Sequence, residues 1–384
     1  MDEILVNTSI VGDQSASAIA GFRGTQFVVV WEDSGDANIK GQMFAVNGNK
    51  TSGEFVVNLP GEPNTSRQLP AIVEYGSGFA VAWTEKPRGG AAHVKLRTFD
   101  QDTLSGPEIQ VSTGEVEPLT APAMARLADG GFVLVWADKR QDERIRAQRF
   151  GFQGEKNGPE FRANTVPGLH REPMVACLTN GNIVIGWRAR LPGPLLVHLQ
   201  IFDANAAALG GEQITTLDVT DITMVALDTG RFVIAHVRNA FDGEPGFETT
   251  VAQASVFEPN GVFTGIRIDA SSEQRIVSTW PTLAPLPGGR CVLAWTQINT
   301  DAPAAGTNVK AKVFSATQSS VGQAVQVNTS AGGDRFRLCA ATTLGPDGET
   351  VFFSWSDQGQ AGDGTLARRV RGRPLPILPS GGLA

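Results

Sequence analysis

Seven times along the chain a short, mostly apolar run breaks an otherwise mixed sequence: FVVVW ending at Trp31, FAVAW at Trp83, FVLVW at Trp136, IVIGW at Trp187, FVIAH at His236, CVLAW at Trp295 and FFSW at Trp355. From one terminal aromatic residue to the next the steps are 52, 53, 51, 49, 59 and 60 residues, the period of a repeat array and far too long for a coiled coil. A run that is too short for a helix and has no polar face predicts a strand buried on both sides, as when sheets stack face to face around a ring.

Copy three, residues 122–165, shows the whole unit. A small-residue strand around Ala121–Leu127 leads through the Gly130-Gly131 turn into the apolar run Phe132–Trp136. An alternating strand over Ile145–Phe150 and a more polar one over Glu160–Asn164 follow. Burial therefore falls in four steps, as it must in a propeller blade whose inner strands crowd the axis while its outer edge meets water. The expectation is an all-β, seven-bladed β-propeller of four-stranded antiparallel blades. The last copy lacks an outer strand of its own, and Ile4–Ser9 (ILVNTS) matches Val325–Ser330 (VQVNTS), the outer strand of copy six. The N-terminal strand, residues 3–9, is thus expected to complete blade seven and remove an exposed edge. The reading is one propeller domain over 1–373 and a C-terminal tail over 374–384.

At these positions the chain resembles a family of bacterial repeats whose unit reads approximately GGFVVVW-x-[SD], I-x-AQRF, G-x-EF-x-VNT and P-A-V-A. Copy three matches at Gly130, Gly131, Phe132, Val133, Trp136, Ala147, Gln148, Arg149, Phe150, Gly158, Glu160, Phe161, Asn164 and Thr165; copy seven matches at Trp355, Ser356, Asp357, Ala367 and Arg368. Such repeats occur in large secreted or surface proteins of the RTX and adhesin kind, so the resemblance implies an extracellular or cell-surface setting. It concerns scaffold positions and brings no catalytic residues.

Composition narrows the function classes. With 41% hydrophobic and 18% charged residues, 44 glycines and 22 prolines, the chain has ample core and many turns. A net charge of −7 argues against a nucleic-acid groove or an anionic membrane as partner, and no stretch approaches a membrane span. The start, MDEILVNTSIVGDQ, lacks the basic and apolar regions of a signal peptide, which leaves a cytoplasmic location open. Cys177, Cys291 and Cys339 lie in different copies without CxxC spacing and read as small core residues.

The loops after each apolar run and before each first strand are expected on one rim, where repeat proteins commonly bind ligands. There His170, Arg171, Glu172, Arg275, Trp280, Arg335 and Arg67 form the candidate ligand-binding set, with Asp33, Glu85, Asp138, Arg188, Asp221, Arg238 and Asp357 nearby. Asp357 and Asp363 flank a Gly/Asp-rich loop that suggests calcium, although two carboxylates fall short of the six to eight oxygens calcium takes. No G-x-S-x-G, H-E-x-x-H or P-loop occurs. The expectation is therefore a non-catalytic, lectin-like module binding a carbohydrate or protein partner. The alternatives are a structural spacer in a surface assembly and a polysaccharide-active hydrolase or lyase.

Overall fold

The computed structural model describes all residues except 62–63, 77, 101–105, 140–143, 191–194, 241–248, 271–275, 300–305, 318–321, 331, 346–347 and 359–366. Every described element is a strand. Five sheets have four strands, and a sixth has eight, seven along one path and one, Phe263–Asp269, pairing beside it. That path is joined at one point, a single parallel bridge between Thr250 and Val277, with antiparallel pairing on either side. The first strands Gln14–Phe22, Ser66–Tyr75, Ala123–Arg126, Leu169–Cys177, Thr220–Ala226, Ile276–Leu286 and Asp334–Gly345 pack each against the next, and the last returns to the first. The result is a β-propeller.

The apolar runs form the second strands, and their two faces serve two different interfaces. In Phe132–Asp138, Phe132, Leu134 and Trp136 pack with copy two, against Val94, Leu96 and Val111. Val133 and Val135 pack with copy four, against Ile183, Ile185 and Trp187. Alternation along a strand buried on both sides is why the sequence shows no polar face. Each of the six tryptophans that end these runs fills one inter-sheet interface and is 0–2% exposed.

The repeated polar motif has an equally definite use. The glutamate of the outer segment reaches back to backbone N–H groups that follow the preceding sheet's outer strand. Glu54 accepts from Thr8 (2.7 Å), Glu108 from Leu59 (2.9 Å), Glu160 from Thr113 (3.2 Å) and Glu212 from Thr165 (2.6 Å). The motif's asparagine caps its own third strand: Asn58, Asn164 and Asn328 accept from the N–H of Ile39, Ile145 and Val309 at 2.8–2.9 Å. The glutamate contacts are charge-assisted and seam sheet to sheet, while the neutral asparagine caps satisfy their own sheet.

Ring closure uses the same parts. Ile4 and Leu5 pair antiparallel with Gly372 and Arg371, Asn7 accepts from Val370 N–H at 2.9 Å, and Glu3 accepts from Thr329 N–H at 3.0 Å. The chain beyond Arg373 does not trail as a tail: the third strand of copy seven is Arg369–Pro376, and Leu383, 6% exposed, bridges back to Ile377. Its apolar PLPIL sequence has a core face to cover.

Two buried groups make stability pH-dependent. Burial alone would raise the Glu212 carboxyl, but hydrogen bonds from His198 Nδ1 (2.6 Å), Val166 and Thr165 outweigh it and hold the group at about 2, below its ordinary 4.5. A depressed carboxylate stabilises fully above pH 4.5, and the contribution is lost as pH falls toward 2. The Glu212→Gln variant is expected to be less stable at neutral pH by about 1–3 kcal/mol and to show a shallower loss across that window, read from urea midpoints against pH.

His236 replaces the tryptophan of copy five, is 1% exposed, and has only Ser255 Oγ at 3.3 Å beside its Nε2. Burial, with Arg267 and Arg238 adding to it, lowers its pKa from 6.5 to about 4. The unfolded chain therefore binds the proton first, and stability drops as pH falls from 6.5 to 4, by on the order of 3 kcal/mol. His236→Phe is expected to flatten this segment of the same titration; an unchanged slope would assign the proton uptake elsewhere.

Candidate active site

Six first strands carry the same irregularity near their starts. The register with the second strand slips between Ser15 and Ala18, Gln68 and Ala71, Arg171 and Met174, Thr220 and Ile222, Thr279 and Thr282, and Phe336 and Cys339. At each slip one non-glycine residue is left-handed: Ala16 (φ 50°), Leu69 (55°), Glu172 (51°), Asp221 (48°), Trp280 (50°) and Arg337 (50°). Such residues cost about 1–3 kcal/mol each and persist only where the surroundings over-determine them, which is characteristic of functional sites. Each bulge re-aims one side chain around the axial mouth.

The bulge residues of copies four to seven are Glu172, Asp221, Trp280 and Arg337, all half-buried, and they contact one another or a shared partner. Glu172 Oε1 is ion-paired with Arg188 Nη2. Asp221 Oδ2 accepts from the Trp280 N–H at 3.5 Å, and the Arg337 guanidinium lies 5.6 Å over the Trp280 ring. Burial raises the pKa of both Glu172 and Asp221; Arg188 opposes the shift in each, while the Asp221 charge raises Glu172 further. Glu32 joins the mouth from copy one, accepting from Leu69 N–H at 2.6 Å; burial raises it too, against Arg337 among others. Beside Glu32 a polar cleft of about 280 Å³ opens between copies one and two, lined by Ser15, Asn64, Ser66 and Gln68 among others.

Of the residues singled out in the sequence, the structure gathers Glu172 and Trp280 here. Arg171 is close by but engaged with Glu117 at 3.3 Å. Three others are corrected. Two residues before each bulge the side chain turns back into the sheet, so Arg67, His170 and Arg335 are 9%, 1% and 2% exposed. Arg67 pairs with Glu85 (2.9 Å), His170 Nε2 meets the Val166 carbonyl (2.8 Å), and Arg335 pairs with Asp357 (3.3 Å). Asp357 is likewise no metal ligand: it is 2% exposed and held between Arg335 and Arg371. Arg275 and Asp363 lie outside the described residues. Among the described residues no group of three or more His, Cys, Asp or Glu side chains could hold a metal ion. No helix there is long and apolar enough to cross a membrane.

Asp221 and Arg188 were visible in sequence only as general rim charges, and Arg337 and Glu32 not at all. A usable signal was strand parity. In four copies the residue two after the tryptophan (Asp33, Glu85, Asp138, Asp357) points into the blade and is clamped by Lys40, Arg67 and Lys95, Arg146, or Arg335 and Arg371. The residue one after the tryptophan reaches the mouth, as Glu32 and Arg188 do.

An axial mouth carrying three half-buried carboxyls, two guanidiniums and an indole, on a propeller built from four-stranded sheets, is the arrangement to set beside known structures. No protein-family model and no curated protein matches the sequence. Among solved structures the chain is similar to a polysaccharide lyase of family PL25, an ulvan lyase bound to -[GlcA(1-4)Rha3S]-, with TM-score 0.60, 8% identity, and 96% of this chain and 95% of the other covered. It is similar to the polysaccharide lyase Uly1 (TM-score 0.54, 11% identity, 96% and 90% covered). A third is the β-propeller domain of the Trilobed protease from Pyrococcus furiosus (0.50, 11%, 94% and 97%). At these identities the likeness establishes the fold. It also corrects the expectation of a non-catalytic recognition module: propellers on which nearly the whole chain superposes include enzymes that act on polysaccharides.

Proposed function

We propose that this chain is a polysaccharide-cleaving enzyme, a propeller of seven blades that breaks a glycosidic bond at its axial mouth. The blade count is supported by the single bridge that joins the two halves of the eight-stranded sheet and by the seven first strands around one axis. The observation that carries the activity is the pair of half-buried carboxyls, Glu172 and Asp221, brought together on strained left-handed backbone. In this reading Asp221 is the general acid toward the leaving oxygen. Glu172, pinned by Arg188, is the general base. Trp280 offers a face for a sugar ring, and Arg337 beside it binds hydroxyl or carboxylate oxygens.

Hydrolysis and β-elimination both need this acid and base. Paired carboxylates favour hydrolysis. The two guanidiniums, which would neutralise a uronate, favour elimination, as does the resemblance to polysaccharide lyases. A secreted or surface setting, as the repeat resemblance implies, suits a polymeric substrate. The test is a panel of neutral and uronate-containing polysaccharides incubated with the purified chain, following new reducing ends and the ultraviolet absorbance of unsaturated uronate. Reducing ends alone identify a hydrolase, and both signals together a lyase; neither signal on any polymer overturns the proposal.

A further inference from the structure

Along the axis, beginning about three residues past the bulges on the first strands, lies a second cavity of different chemistry. Its volume is about 600 Å³, within the range of small-molecule sites. All seven first strands line it, deep in the channel with side chains such as Ile72, Ala125, Val175, Met224, Leu283 and Ala340. The wall is aliphatic and carries no aromatic ring, so it offers dispersion contacts to a chain rather than a stacking platform for a sugar.

Polar groups collect at the mouth. Thr342 and Thr343 line the cavity, and Thr342 donates to the Pro285 carbonyl at 2.7 Å. Two ion pairs stand at the edge: Glu74–Arg126 at 3.2 Å, and Arg290 on both oxygens of Glu349 at 2.7 and 2.8 Å. The Arg126 side chain is 51% exposed, and a pair so wetted holds its guanidinium weakly.

We propose that this cavity is a second binding site, distinct from the axial mouth with the carboxyl pair, and that its ligand is a linear fatty acid. The aliphatic chain runs inward along the axis. The carboxylate stays at the mouth, accepting from Arg126 once that guanidinium swings away from Glu74. Cys177, a partly exposed thiol on the same wall, reports occupancy.

The experiment uses the whole chain with N-phenylnaphthylamine as the fluorescent probe and decanoate as competitor, beside the alkylation rate of Cys177 read by peptide mass. Decanoate is expected to displace the probe saturably and to slow Cys177 alkylation about tenfold. Filling the channel with Ala125→Leu or Ala340→Leu weakens decanoate about tenfold at unchanged melting temperature, and Arg126→Ala weakens it about fivefold. If a filled variant does not fold, protection of Cys177 in the natural chain decides alone. The proposal is overturned if decanoate neither displaces the probe nor protects Cys177, or if folded, filled variants bind it as tightly as the natural chain. Equal affinity for decanol would overturn the carboxylate head.

Discussion

Asp221→Asn lowers kcat for polysaccharide cleavage by about two to four orders of magnitude while leaving the melting temperature within a few degrees. Asparagine is nearly isosteric and tolerates the left-handed conformation that Asp221 adopts at φ 48°, so the bulge and its hydrogen bond to Trp280 N–H are kept and only the transferable proton is lost. Glu172→Gln removes the base and the ion pair to Arg188, with a loss of similar size. The double variant is expected to be little worse than either single one, because acid and base act as a unit. The pH profile carries the sign. Activity requires Glu172 ionised and Asp221 protonated, and burial raises both groups, so both limbs of the bell lie above the ordinary carboxylate range. Full activity in Asp221→Asn would remove that residue from the chemistry.

Deletion of residues 1–9 lowers the melting temperature by about 10 °C or more. The deleted segment supplies Val6, 0% exposed, and the Asn7 cap on Val370 N–H at 2.9 Å. It also supplies the two-residue ladder to Arg371 and Gly372, and Glu3, which seams copy six to copy seven through Thr329 and Ser330. Loss of that strand uncovers the edge of Arg369–Pro376, which then invites self-association. A synthetic peptide of residues 1–9 added in trans is expected to restore part of the lost stability by strand addition, with a concentration dependence set by mass action. A calorimetric midpoint unmoved by the deletion would mean that the strand does not fasten the ring.

Much of this architecture could be read before any coordinates. The period of the tryptophans located the second strands, and the fall from apolar to polar within copy three ordered the four strands. The match of ILVNTS to VQVNTS predicted the closing strand, because all three signals are burial patterns and burial is what a strand sequence encodes. The site was only half legible. Period-two alternation predicts side-chain direction as long as the register holds, and here it slips once in six of the first strands. No glycine or asparagine announces the slips: the left-handed residues are Ala, Leu, Glu, Asp, Trp and Arg. Arg67, His170 and Arg335 therefore read as rim residues although they lie two positions before the bulge and point inward, while Arg337 passed unnoticed. The proposed site formed no readable motif for a related reason. A propeller draws its site from separate blades, so Glu172, Asp221, Trp280 and Arg337 stand about 50–60 residues apart and form no local motif.

The measurement that bears most directly on the account is the average molar mass of a polysaccharide, by light scattering, during incubation with the natural chain and with the Glu172→Gln, Asp221→Asn double variant. The account predicts a progressive fall in mass with the natural chain, on at least one polymer of the panel, and none with the folded double variant. A constant mass with both, or an equal fall with both, would contradict it.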